Sequence, residues 1–149
     1  MPIRFILMCV VASFASVLAC GPMNTPPKAS GNQAQGTLGP SGFVKQTKNN
    51  LFLVYAAPLT PPTLGDNPFV VRVVCGDNLH NLSNTATIHL TYWMPSMPEM
   101  GKFEASGQRQ DDGTYSAILF FSMAGSWSVT VQVKDSEKQD EGEFEIPVK

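Results

Sequence analysis

Cysteine is scarce in this chain. Its 149 residues include three, Cys9, Cys20 and Cys75, too few for the disulfide framework that staples small secreted scaffolds. Histidine is scarcer. His80 and His89 have no ligand partner at metal-binding spacing and read as surface or structural residues. Basic runs are missing, and ten Lys+Arg against twelve Asp+Glu give a net charge of −2, so there is no nucleic-acid footprint. Ser122, Ser126 and Ser128 lie in no Gly-x-Ser-x-Gly context, which leaves a serine triad unsupported. Asp111 and Asp112 are adjacent carboxylates, but Gly113 follows them and makes a turn the better account. Nothing between residues 43 and 149 carries a 3.6-residue apolar stripe of helix length. These absences argue against an enzyme and against an α or α/β fold.

The N-terminus reads as a targeting segment. Arg4 supplies a positive start, and residues 5–19, FILMCVVASFASVLA, form an apolar stretch too short to span a bilayer comfortably. It ends in Val17-Leu18-Ala19-Cys20, which resembles a bacterial lipobox, with ordinary cleavage near Ala19 as the alternative. Residues 1–19 are therefore expected to be a lipoprotein signal peptide. Cys20 is the expected lipidation site, anchoring the chain to the membrane. Gly21 in place of Asp resembles the signal for the outer membrane, on the face toward the periplasm. Residues 20–42 hold the anchor and a Gly/Pro/Ser/Asn/Gln-rich linker. On this reading Cys75 is the one remaining thiol, and its row with Phe69, Val71 and Val73 makes it a buried, inert residue.

From residue 43 the period becomes two. Leu51, Leu53 and Tyr55 begin it. Ile88, Leu90 and Tyr92 continue it, then Tyr115, Ala117, Leu119 and Phe121. Trp127, Val129, Val131 and Val133 give the cleanest row, and Phe144, Ile146 and Val148 close the chain. With a weaker stretch at 101–109, these predict about seven short strands in an immunoglobulin-like antiparallel β-sandwich over 43–149. Trp127 is the expected core residue. Asp112-Gly113-Thr114-Tyr115 suggests a tyrosine corner, and residues 135–141 a solvated hairpin loop. Antiparallel strands reverse direction, so alternate connections share one end. Counting reversals places 58–68, 94–100 and 123–126 together, and 76–84, 110–113 and 135–141 at the other end.

This counting gathers Met94, Met97, Met100 and Met123 at one pole, beside Pro58-Leu59-Thr60-Pro61-Pro62. Thioethers are soft ligands that favour Cu(I). The prolines of Met94-Pro95-Ser96-Met97-Pro98-Glu99-Met100 are expected to hold the loop extended, with Trp93 or Tyr92 as a cover for an ion. Methionine also fills apolar gaps and forms adaptable surfaces, so a docking surface built on Trp93, Pro95 and Pro98 for an envelope protein partner stands as the second reading.

Four stretches occur in the order seen in YtkA-like domains, which are similar to FixH proteins. They are Gly65-Asp66-Asn67-Pro68-Phe69, the Met-Pro loop at 94–100, Asp112-Gly113-Thr114-Tyr115 and Met123-Ala124-Gly125-Ser126-Trp127. The resemblance covers roughly residues 43–149. It implies a small immunoglobulin-like sandwich in the bacterial envelope and an association with copper handling or oxidase assembly. It brings no catalytic residue.

The anchor has a direct check. Cells fed a palmitate analogue should label the wild-type chain and spare Cys20→Ser. Equal labelling, or release of both chains to the soluble periplasm, removes the anchor.

Overall fold

Alternating side chains form a sheet only when a second sheet covers their apolar face, and here two sheets cover each other. The structure is a computed structural model, and it describes residues 42–149. The expected signal peptide, the lipidated Cys20 and all of the linker but Gly42 lie outside the described residues. Nine strands form within them: β1 (Phe43–Gln46), β2 (Phe52–Pro58), β3 (Gly65–Cys75), β4 (Thr87–Trp93), β5 (Phe103–Ser106), β6 (Gln108–Arg109), β7 (Tyr115–Phe121), β8 (Gly125–Asp135) and β9 (Lys138–Val148). One sheet has the order β1-β2-β3-β7-β6 and the other β5-β4-β8-β9. Every pairing is antiparallel. Among the described residues no helix is long and apolar enough to cross a membrane.

All but one of the rows read from the sequence are inner faces; in β2 the inner residues are Phe52, Val54 and Ala56, while Leu51, Leu53 and Tyr55 are only half-buried. Phe52, Val54, Val71, Val73, Tyr115, Leu119 and Phe121 of the first sheet meet Ile88, Leu90, Trp127, Val129, Val131, Val133 and Ile146 of the second. Burying a side chain of this size is worth about 1.5–3 kcal/mol, so this interface holds the two sheets together. The count of seven strands rises to nine for two reasons. Phe43-Val44-Lys45-Gln46 has no alternation, yet it pairs with β2 as an edge strand, and Phe43 meets the Phe144 ring edge-on at 6.1 Å. The weak stretch at 101–109 divides at Gly107, where the chain leaves one sheet for the other. β5 pairs with β4, whereas β6 pairs with β7. Gly107 donates its N–H to the Ile88 carbonyl at 2.9 Å. A Cβ there would come within 3.0 Å of Ile88 Cβ and 3.2 Å of Tyr115 Cβ, so a larger residue would wedge the crossing apart.

Three expectations are corrected. Tyr115 makes no local tyrosine corner. Its hydroxyl reaches the Ala86 carbonyl at 3.3 Å in a distant part of the chain and accepts from Arg109 Nη1 at 2.9 Å. Cys75 is buried as expected, but it is disulfide-bonded, and its partner lies outside the described residues. The hairpin at 135–141 is no solvated loop. β8 and β9 stay paired as far as Asp135 and Lys138, with only Ser136 and Glu137 between them.

The polar run 139–141 belongs in a strand because Asp140 has an inward task. Its carboxylate accepts from the Asn49 N–H at 2.9 Å, Asn49 Nδ2 at 3.0 Å, the Leu51 N–H at 3.3 Å and the Glu141 N–H at 2.9 Å. It thereby clamps the turn between β1 and β2 to the β8–β9 hairpin. Burial alone would raise its pKa. Hydrogen bonds from the Thr47 hydroxyl and the amides of Glu141, Leu51 and Asn49 outweigh that and hold it below the ordinary carboxylate value. Asp140→Asn is expected to cost about 1.5–3 kcal/mol at pH 7, the value of hydrogen bonds to a charged group, read from urea midpoints. Because the folded pKa is depressed, the charge contributes fully above the unfolded value of about 4. Its contribution is lost as pH falls through the folded value. The gap between wild type and variant should therefore close in acid. A gap unchanged in acid shows that the charge is not what holds the turn.

Candidate metal centre

The register sets which loops are neighbours. Trp93 at the end of β4 faces Ser128 near the start of β8, which brings residues 94–102 beside residues 122–126. Gly65 faces Phe121, so the connection 59–64 opens at the same end, and the Lys149 N–H reaches the Pro62 carbonyl there at 3.2 Å. The three connections grouped by counting reversals share this pole.

The Met-Pro loop is not extended. The Met97 N–H donates to the Met94 carbonyl at 3.0 Å and the Met100 N–H to the Met97 carbonyl at 3.1 Å. Pro98–Met100 form a single 3₁₀ turn. Pro98 opens that turn, where a missing N–H costs nothing, so the prolines shape successive turns rather than straighten the chain. The coil places its methionines in different settings. Met94 is 3 % exposed and belongs to the core cluster, while Met97 and Met100 are half-buried at its margin. Met123, on the facing loop, is 41 % exposed.

Met94 lies against the start of β8. A Cβ on Gly125 would stand 2.8 Å from its terminal methyl carbon and 3.9 Å from its sulfur. Beneath the pole is an aromatic cluster. Trp127 and Phe121 have ring centroids 5.2 Å apart, Tyr92 and Phe103 stack at 5.6 Å, and Tyr92 meets Phe121 edge-on at 5.8 Å. The Trp127 indole N–H donates to the Met123 carbonyl at 3.0 Å.

Neither aromatic expected as a cover is placed for it. Tyr92 points inward, is 3 % exposed, and its hydroxyl accepts from the Phe120 N–H at 3.1 Å. Trp93, one residue on, belongs to the outer face of its sheet, with Lys102 Nζ 5.8 Å from the ring centroid. Of the residues assigned to docking, Pro95 and Pro98 are exposed and Trp93 half-buried. Leu59, Leu64 and Met123 add exposed apolar side chains on the loops of the same pole.

The methionine loops offer four thioethers and one exposed carboxylate, Glu99. Among the described residues no group of three or more His, Cys, Asp or Glu could hold a metal ion. His80 is exposed at the opposite end, and His89 lies on an outer face with Nε2 3.6 Å from a Glu104 oxygen. A hard cation such as Mg²⁺ or Ca²⁺ therefore has no oxygen cage at this pole, whereas a soft one has neutral sulfur.

The shifted titrations lie at the other end. A hydrogen bond from Lys48 lowers Glu141 and one to Glu141 raises Lys48, while the Thr114 hydroxyl lowers Asp112. A surface ion pair and a turn hydrogen bond account for these, so perturbed acidity marks no catalytic centre here. Reasoning from the sequence missed the roles of Gly125 and the Trp127 N–H. Their signal was the Met-Ala-Gly-x-Trp run itself, which strand periodicity has no means of interpreting.

Comparison with known proteins bears on the fold. A copper-bound glutamate-to-glutamine variant of FetP from uropathogenic Escherichia coli strain F11 is similar with a TM-score of 0.50 and 16 % identity, over 72 % of this chain and 94 % of that one. A copper-bound variant of Campylobacter jejuni P19 gives a TM-score of 0.48 and 12 % identity, over 72 % of this chain and 94 % of that one. No curated protein matches this chain. The model of the YtkA-like family matches residues 47–132, more than half of the sequence. The protein belongs to the YtkA-like family.

Proposed function

We propose that this protein is a non-catalytic lipoprotein of the bacterial envelope that binds or delivers Cu(I) through Met94, Met97, Met100 and Met123. The observation that carries the reading is the placement at one pole of the two loops that bear four thioethers. Neutral sulfur suits a soft monovalent cation and discriminates against the hard cations that outnumber it. The aromatic cluster below keeps water from the inner side, so an ion seated there would be stripped on one face and approachable on the other. The likeness to copper-bound FetP supports the reading at the level of the fold only. Anchorage through Cys20 would hold the domain at the outer membrane, facing the periplasm.

A second reading is favoured by the exposed Leu59, Leu64, Pro95 and Pro98 around the pole. The same surface would then dock an envelope protein partner, with the methionines as adaptable apolar contacts.

Competition with a chromogenic Cu(I) chelator distinguishes the two. The wild-type chain should withdraw copper. The Met94/Met97/Met100→Leu chain, which keeps the apolar surface and removes sulfur, should bind more than about 100-fold more weakly, beyond the loss of an outer-shell partner. Equal and negligible binding by both removes the copper reading and leaves docking.

A further inference from the structure

We propose that the run Met123-Ala124-Gly125-Ser126-Trp127 is a positioning device, in which Gly125 seats the Met94 thioether and Trp127 fixes the backbone that carries Met123. Its purpose rests on the copper reading above, while its geometry stands independently. Gly125 has φ +140°, a conformation that side chains rarely adopt, and pairs with Val148 at the first position of β8. The space its Cβ would fill is taken by Met94, whose methyl would be 2.8 Å away. Contacts below 3.0 Å are essentially never found for a real Cβ, so a side chain at 125 must displace that methyl, the flexible end of Met94, from its place beside the sulfur at 3.9 Å. Met94 is 3 % exposed, so its methyl must move within the core rather than out to solvent.

Trp127 acts on the other side of the glycine. Its ring is wholly buried, 6.1 Å from the Tyr92 centroid and 5.8 Å from that of Phe103, so its N–H is a fixed point. That N–H reaches back four residues to the Met123 carbonyl at 3.0 Å. The loop is thereby pinned at Met123 while the side chain of Met123 stays 41 % exposed. Met94 is sealed against Gly125, and Met123, two residues before that glycine in the chain, keeps an exposed thioether. A soft monovalent cation arriving from solvent meets Met123 first, with Met94 held behind it by the bare backbone of Gly125.

The test is a double-mutant cycle on the full-length chain, followed by titration with Ag(I), a redox-inert soft cation. Gly125→Ala and Met94→Ala are made singly and together, and urea midpoints are compared. Alanine at this φ is strained in both backgrounds, so that cost cancels and the Met94 contact remains. Gly125→Ala should destabilise markedly less when residue 94 is alanine. Equal cost in both backgrounds overturns the seating. Should Gly125→Ala alone fail to fold, recovery in the Met94→Ala background supports the seating and failure there overturns it.

In the titration, the methyl resonances of Met94 and Met123 should shift together in the wild type. Gly125→Ala should weaken silver binding by roughly 10- to 100-fold, the usual cost of losing an outer-shell partner. Trp127→Phe keeps an aromatic ring and removes the N–H, and it should move the Met123 methyl resonance before silver is added. Unchanged affinity in folded Gly125→Ala overturns the positioning role, and an unmoved Met123 resonance overturns the part assigned to Trp127. Absence of silver binding by the wild type removes the copper reading instead, and the stability cycle still decides whether Gly125 seats Met94.

Discussion

Trp127 stands where the two sheets meet the methionine-bearing end, and the order of that end follows from its burial. Its ring has no exposed surface and lies among Tyr92, Phe103 and Phe121, so strands β4, β5, β7 and β8 all contribute to one aromatic contact. Burial of an indole obliges its N–H to find an acceptor, and the acceptor here is the backbone of the loop just before β8. The packing of the core thus reaches the surface through a single hydrogen bond. Change the depth at which that ring sits, and the facing loop must change with it.

Most of the architecture was legible because a two-residue period reports directly on which side of a sheet is covered. The rows ending in Phe121 and Val133 needed no other information. Counting reversals then sufficed to bring residues 58–68, 94–100 and 123–126 together, since every pairing is antiparallel even where the chain changes sheets. What could not be read had causes outside periodicity. β1 owes its place to an existing neighbour, β2, rather than to its own pattern. Asp140 looks like a loop residue until the amides of Asn49 and Leu51 are seen to need an acceptor. The Met-Pro segment looked extended because proline was weighed residue by residue, whereas Pro98 at the head of a 3₁₀ turn costs nothing. The shape of the pole depends on contacts between residues 94 and 125, far apart in the chain and invisible to any local rule.

The molecule keeps its shifted carboxylates and its thioethers at opposite ends. The carboxylates with shifted acidity lie away from the methionine pole, whereas the hydroxyls of Ser126 and Ser128 donate to Glu145 and Glu143 near the start of β8. At the end bearing the β8–β9 hairpin, Asp140 holds a turn and Lys48 meets Glu141 on the surface. Neutral sulfur and rings gather at the other end. The carboxylate that shares the methionine loop is Glu99, which is exposed in the 3₁₀ turn between Met97 and Met100. Among the described residues no buried side-chain polar atom is left without a hydrogen-bond partner, so the core stores no unmet electrostatic demand that could draw an ion to a different place.

Gly107 has a consequence for how the chain becomes ordered. Because the backbone changes sheets there, neither sheet is a continuous stretch of sequence. One collects strands from residues 43–75 and 108–121, the other from 87–106 and 125–148. Neither half of the polypeptide holds a complete layer, so neither can collapse into a stable fragment by itself. Contacts of long sequence separation must close before either layer is whole, which makes for slow, all-or-none assembly.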